Sequence, residues 1–220
     1  RNILVTGGAG FIGSNLVREL QTRHPEARIV VVDDFRSGDF RNLRGFRGDF
    51  VTADVSRLDW NAQFRDETFD AIFHEASITD TTVHDPFLQA HDNIEGFRRL
   101  LRFAEPHQTP VVYASSAATY GICSGVQEES QPAAPANIYA FSKVQLDNLA
   151  RDHARRFPEC KPVGNVICAR FSAVDVRFDE SRWRQRRAEF GNRLIISINL
   201  QAVAFRLAEA RRAAIASLDT

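Results

Sequence analysis

The chain is 220 residues long, 44% apolar and 25% charged, a composition suited to one α/β domain or to one domain with a small appendage. Lys+Arg and Asp+Glu both number 28, which excludes a global electrostatic pull toward nucleic acid or an anionic membrane. No apolar run nears the ~18 residues of a membrane span. The chain opens on a strand pattern rather than a basic-then-apolar leader, so the expected compartment is cytoplasmic.

In chain order, residues 2–5 form a short apolar run stopped by Thr6-Gly7-Gly8, which reads as a buried strand. Residues 11–20 then place Phe11, Ile12, Leu16, Val17 and Leu20 at helical spacing. Residues 28–32 (RIVVV) read as a second buried strand ending in Asp33-Asp34, and residues 50–53 as a third. A helical stretch over 58–64 precedes a fourth strand at 71–73. Residues 87–103 have helical length and periodicity, closed by Pro106. A fifth strand at 111–114, a surface excursion at 121–136, a long helix at 139–157 stopped by Pro158, and a sixth strand at 163–168 complete the series. Strands alternating with helices predict an α/β fold, a doubly wound parallel sheet that binds ligands at the carboxyl ends of its strands.

Two features do not enter that scheme. The run 182–193 (RWRQRRAEFGNR) is basic and reads as a solvated face or linker, with an anion-binding patch as the alternative. Cys123, Cys160 and Cys168 stand at no metal-ligand spacing, which fits incidental thiols in a reducing compartment.

The segment Thr6-Gly7-Gly8-Ala9-Gly10-Phe11-Ile12-Gly13 lies between the first strand and its helix, where a pyrophosphate site needs it. Gly7 permits the tight turn, Gly10 lets the backbone approach phosphates, and Gly13 lets the helix pack closely on the sheet. Free amides and the positive end of the helix dipole then face the anion. Asp33, 20 residues beyond Gly13, is placed to accept from the adenosine ribose hydroxyls. Asp34 adds negative charge where a 2′-phosphate would lie, which favours NAD, whereas Arg36 and Arg41 offset it and admit NADP; the cofactor is NADP or NAD, with a slight lean to NAD. Asp54 either reaches the adenine amino group or caps the next helix.

Tyr139 and Lys143 are four residues apart on a predicted helix and share one face. A phenol with an ordinary pKa of ~10 is a poor base at neutral pH, and an adjacent ammonium favours the phenolate. The same lysine is suited to hold a nicotinamide ribose. Ser116, just past the fifth strand, is placed to donate to a substrate oxygen as it becomes a carbonyl. Asn93 is open between the polar face of a helix and a site organiser. His74-Glu75 lacks a second ligand at helical spacing, so no metal is expected and the pair reads as a loop lining the cofactor. Tyr113 and Tyr120 read as packing residues.

The segments VTGGAGFIGSN (5–15), IFHEAS with a following Thr-Thr (72–82), YASSAATYG (113–121) and NIYAFSK (137–143) resemble the extended short-chain dehydrogenases, the NAD-dependent epimerase/dehydratase family. The likeness runs over residues 2–150 and is strongest to the branch that inverts C6 of ADP-glycero-manno-heptose for the lipopolysaccharide inner core. It implies a Rossmann fold and an enzyme that oxidises a sugar carbinol to a ketone and returns the hydride to the other face. Tyr139 would then be the acid/base, Lys143 its partner and ribose clamp, and Ser116 the oxyanion donor. Phe11, Ile12, Asp33, Asp34, Glu75, Ala76, Ser77, Ile78, Thr79 and Asn93 would line the cofactor. The implied partners are a nucleotide-sugar substrate and a second copy of the chain, docked through the helices that carry Asn93 and Tyr139; neither nucleic acid nor membrane is implied.

The resemblance fades after Val163. Where the family reads R-Y-F-N-V-Y-G-P, residues 170–177 read RFSAVDVR, which puts Ala173 at the Asn position. Ser197 falls where the branch has a second catalytic lysine. Relatives continue for about half as much again beyond Thr220 to build a substrate domain. The expected organisation is therefore a dinucleotide-binding domain with its catalytic helix at 1–170 and a divergent remnant of the substrate region at 171–220, that domain being truncated or absent. Ala117-Ala118 follow Ser116 where a dehydratase would carry Asp-Glu, which argues against that activity.

Overall fold

The structure, a computed structural model, describes residues 1–80, 85–122, 131–157 and the backbone of 163–167. The region 171–220, with its basic run, Ala173 and Ser197, lies outside the described residues, as do the three cysteines.

Asn2–Thr6 (β1) and Arg28–Asp33 (β2) bury Leu4, Val5 and Val30–Val32 on both faces, the continuous apolar pattern of a parallel sheet covered on two sides. With Asp49–Thr52 (β3), Ala71–His74 (β4), Val111–Ser116 (β5) and Val163–Ile167 (β6), they form one sheet in the order β3-β2-β1-β4-β5-β6. The pairs β1–β2, β1–β4, β2–β3 and β4–β5 are parallel. Right-handed crossovers then place Phe11–Arg23 (α1) on one face and Trp60–Gln63 (α2), Pro86–Ala104 (α3) and Ile138–Arg156 (α4) on the other. The chain reverses its winding direction between β1 and β4, so a crevice opens there at the carboxyl end of the sheet.

The larger core lies under α2–α4. Leu4, Val30, Val32, Ile72 and Val111 meet Trp60, Phe64, Phe97, Leu100, Phe103 and Leu146 there. Trp60 packs on Phe64 and Phe103 at centroid distances of 6.0 and 5.5 Å. Phe97 links this core to the site, lying 5.3 Å from the His74 ring and 4.7 Å from that of Tyr113.

Several boundaries move for local reasons. Asp59 caps α2 by accepting from Ala62 N–H, so the expected 58–64 helix shrinks to one turn. Pro106 closes α3 as expected, since the helix ends at Ala104 with Glu105 as its C-cap, and itself lies in a 3-10 turn, Glu105–His107. β5 runs on through Ser116, two residues further than its apolar run. A 3-10 turn at Phe40–Leu43, capped by Asp39, has no apolar periodicity to announce it.

Phe97 is fully buried between sheet and helices. Phe97→Ala is expected to cost about 3–5 kcal/mol of unfolding free energy, read as a lower urea midpoint with an unchanged slope.

Candidate active site

At the end of β1, Gly7 takes φ = 68°, a conformation that side chains rarely adopt. A Cβ there would also lie 2.5 Å from Ala76 N, so the loop after β4 closes directly over it. Gly7 N–H donates to Val32 O at 2.8 Å, and Gly10 N–H to Gly7 O at 3.1 Å. A Cβ on Gly13 would stand 2.1 Å from Gly7 O. The close approach that Gly13 permits is thus of α1 to its own loop, rather than to the sheet as the sequence suggests. Gly10 differs from both. Its φ is −71°, and a Cβ would meet only Gly7 O, at 3.2 Å. The fold itself barely requires glycine there. It caps α1 with no side-chain bond, at the positive end of the helix dipole. A cradle kept open at Gly10 fits a dinucleotide pyrophosphate.

Asp33 is expected to face ribose hydroxyls, but the structure turns it inward. Its carboxylate accepts from Ala9 N–H at 2.9 Å and Phe35 N–H at 2.8 Å, with Gly10 N–H as a third donor. Burial pushes its pKa up, opposed by these amide bonds. Asp33 therefore holds the glycine loop in shape, with one of a carboxylate's roughly four acceptor positions left for a ligand. Arg36 is taken up by three carboxylates, with N–O distances of 3.2 Å to Asp34, 3.2 Å to Asp54 and 3.3 Å to Asp92. Asp54 closes its own turn by accepting from Ser56 N–H at 2.8 Å, and does not cap α2.

After β4 the chain is held by side chains from α3. Asn93 is buried; it accepts from Ile78 N–H at 2.7 Å and donates to Ile78 O at 3.1 Å and Ser142 Oγ at 3.0 Å. It is an organiser, tying the Glu75–Thr79 segment to α4. Gln89, which the sequence reading missed, donates to Ile78 O and Asp80 O at 3.1 and 2.9 Å. His74 departs from its expected place in a lining loop. It ends β4, buried, with Nδ1 2.8 Å from Thr6 Oγ1 and its ring stacked on Phe97. Glu75 Oε2 and Ser77 Oγ are shut off from solvent without a hydrogen-bond partner. Such buried orphans, in the segment that follows β4, suit a polar ligand.

Asn137 caps α4 by accepting from Ala140 N–H at 2.8 Å, which sets the phase of the helix. Tyr139 and Lys143 then face β5. The Tyr139 hydroxyl is hydrogen-bonded to Ser116, and Lys143 Nζ lies 5.7 Å from the Tyr139 ring centroid. The expected trio is thus assembled at one strand end. Its electrostatics differ from the expectation of a phenol lowered by its lysine. Burial pushes the Tyr139 pKa up, only partly opposed by the Ser116 bond. The ammonium instead donates to Ala114 O at 2.9 Å. Burial pushes Lys143 down to about 8, while the negative charges of Glu75 and Asp147 push it back up. Burial pushes Glu75 up to about 7, against the pull of Lys143. Tyr113 is a packing residue as expected, its hydroxyl spent on Asp147 at 2.9 Å. Among the described residues, no cluster of three or more His, Cys, Asp or Glu is arranged to hold a metal ion.

The chain belongs to the NAD dependent epimerase/dehydratase family, which it matches over residues 3–194. It is similar to the ADP-L-glycero-D-manno-heptose-6-epimerase of Helicobacter pylori, at 40% identity and a TM-score of 0.65, covering 70% of this chain and 51% of that one. It is also similar to a dTDP-glucose 4,6-dehydratase from Streptomyces venezuelae, solved with NAD, at 32% identity and TM-score 0.65, covering 72% and 53%. The UDP-Glc/GlcNAc 4-epimerase of Campylobacter jejuni matches at 28% identity and TM-score 0.68, covering 74% and 52%. The chain spans about half the length of these solved relatives.

Burial, with the Lys143 charge adding to it, holds His74 down at about 3, so it stays neutral in the fold while an unfolded histidine gains a proton near 6.5. The stability due to the neutral ring is complete above about pH 6.5 and is lost as pH falls toward 3. His74→Gln is expected to be less stable than the parent at pH 7.5, and the gap is expected to narrow by about 1–2 kcal/mol at pH 5 in urea titrations.

Proposed function

We propose that this chain is the cofactor-binding and catalytic part of an NAD(P)-dependent sugar-nucleotide epimerase, acting on ADP-glycero-manno-heptose at C6. One observation carries the reading: Tyr139, bonded to Ser116 and underlain by Lys143, stands at the same sheet end as a glycine cradle that is least crowded at Gly10. The bound dinucleotide supplies a hydride acceptor and donor. Ser116 donates to the sugar oxygen, and Tyr139 takes the hydroxyl proton and later returns it. Lys143 supplies positive charge beneath the phenol and holds the nicotinamide ribose. Gly7, Gly10, Phe11, Ile12 and Gly13 receive the pyrophosphate. Asp33, Asp34 and Asp54 surround the adenosine end, where Arg36 is already neutralised. This negative corner favours NAD over NADP. Glu75–Thr79 and Asn93 border the nicotinamide side.

The heptose assignment rests on the likeness over 70% of the chain to the Helicobacter pylori enzyme, and with it come a place in lipopolysaccharide synthesis, a cytoplasmic setting and a homo-oligomer joined through α3 and α4. A UDP- or dTDP-sugar substrate is the alternative within the family, the dehydratase form being disfavoured by Ala117-Ala118. A second reading, a cofactor-binding module that does not turn over, is favoured by Ala173 and Ser197 at the two positions where the branch places Asn and Lys.

The test is incubation of the chain with NAD or NADP and ADP-D-glycero-D-manno-heptose, with inversion at C6 followed by proton NMR. Tyr139→Phe is expected to abolish inversion, by 1000-fold or more on the order of a lost acid/base, while cofactor affinity in a fluorescence titration stays within about twofold. Persisting turnover would remove the proton-transfer role from Tyr139. Gly10→Val is expected to weaken dinucleotide binding by at least about 100-fold, with urea unfolding run alongside to separate a filled cradle from a weakened fold; unaltered affinity would displace the pyrophosphate from this loop.

A further inference from the structure

Lys143 is enclosed by elements that each bring a polar group to it. From β5, Ala114 O accepts its ammonium at 2.9 Å. From the end of β4 comes Glu75, next to His74, which the register pairs with Tyr113, and its charge acts on Lys143. From α4 itself comes Asp147, one turn beyond Lys143 and two beyond Tyr139, on the same helical face. Its two oxygens accept from the Tyr113 hydroxyl at 2.9 Å and from Ser115 Oγ at 3.0 Å. A carboxyl that accepts on both oxygens has the bonding pattern of an ionised group. The remaining titratable neighbours bring no negative charge. His74 is neutral in the fold, and burial followed by the nearby Asp147 charge pushes the Tyr113 hydroxyl far up. Tyr139, whose ring lies under the ammonium, is likewise pushed up by burial.

We propose that Asp147 is a positioning residue of this centre: fastened to β5 by two hydroxyls, it acts with Glu75 to keep the buried Lys143 charged and seated beneath Tyr139. The two carboxylates offset the desolvation of the ammonium, one from the end of β4 and one from its own helix. Because Tyr113 and Ser115 flank Ala114, the same residue holds in place the strand segment that leads into Ser116. The consequence for turnover rests on the roles of Tyr139 and Lys143 given above, whereas the charge set is measurable without turnover.

The sequence makes that measurement simple, since Lys143 and Lys161 are the only two lysines. The full chain, labelled with 13C at lysine Cε, gives two titrating signals, assigned with Lys161→Arg. Removing either carboxylate leaves desolvation less opposed, so Lys143 surrenders its proton at lower pH. In Asp147→Asn and in Glu75→Gln its midpoint is expected to fall by about one pH unit, a roughly tenfold weaker hold on the proton. Asp147→Glu is expected to restore the midpoint. A purely structural Asp147 would alter stability in urea without moving the lysine titration. An unmoved midpoint in a folded Asp147→Asn overturns the proposal, and so does an unmoved midpoint in Glu75→Gln if the first variant does not fold. With turnover, the alkaline limb of kcat/KM is expected to shift down with the midpoint. If the lysine shifts and no turnover exists, the charge set stands and the catalytic reading falls.

Discussion

A buried ammonium must find partners, and the seat of α4 on β5 is where this chain supplies them. Lys143 Nζ is bonded to Ala114 O, and Asp147 to the hydroxyls on either side of Ala114. Three bonds between one helix face and three successive strand residues fix rotation and translation of the helix together. Asn93 adds a fourth restraint from α3, since Ser142 Oγ, its acceptor, in turn donates to Tyr139 O at 2.7 Å. Tyr139 meets Ser116 because the helix has little other choice. Leaving any of these polar groups unpartnered in the interior would cost on the order of 1–3 kcal/mol, so polar satisfaction sets the place of Tyr139 beside Ser116.

The glycine loop follows a different logic. Gly7 and Gly13 are required by packing within the loop, and Asp33 is drawn in to satisfy its amides. The carboxylate at the end of β2 thus does structural work before any ribose arrives. Arg36, Asp34, Asp54 and Asp92 form a second charge cluster at this end, held mostly at the surface apart from Asp92. The polar groups at this end thus have largely protein partners, whereas Glu75 Oε2 and Ser77 Oγ, after β4, have none.

Much of this was legible in the residues. Continuous apolar runs such as RIVVV announce strands buried on two faces, and the glycine spacing and Tyr-x-x-x-Lys are local patterns with a geometric meaning. What resisted reading depended on contacts far apart in sequence. The inward turn of Asp33 needs the loop 24 residues before it, and the triple hold on Arg36 needs Asp92, 56 residues on. The raised pKa of Tyr139 reflects burial, which no spacing rule conveys, and the lysine expected to lower it is directed to a strand carbonyl. Asp147 had a usable signal, since it continues the four-residue step from Tyr139 through Lys143, but nothing local pairs it with Tyr113 and Ser115.

The contrast among the three glycines bears on how such a chain would drift. At positions 7 and 13 selection for mere folding is enough to keep glycine, whatever the protein is used for. Position 10 has weaker protection of this kind, because a Cβ there would meet Gly7 O at 3.2 Å rather than the 2.1–2.5 Å found at the other two. A lineage selected for folding alone would therefore change that residue sooner than either of the other two. Glycine at position 10 is thus the one of the three that the packing of the loop explains least.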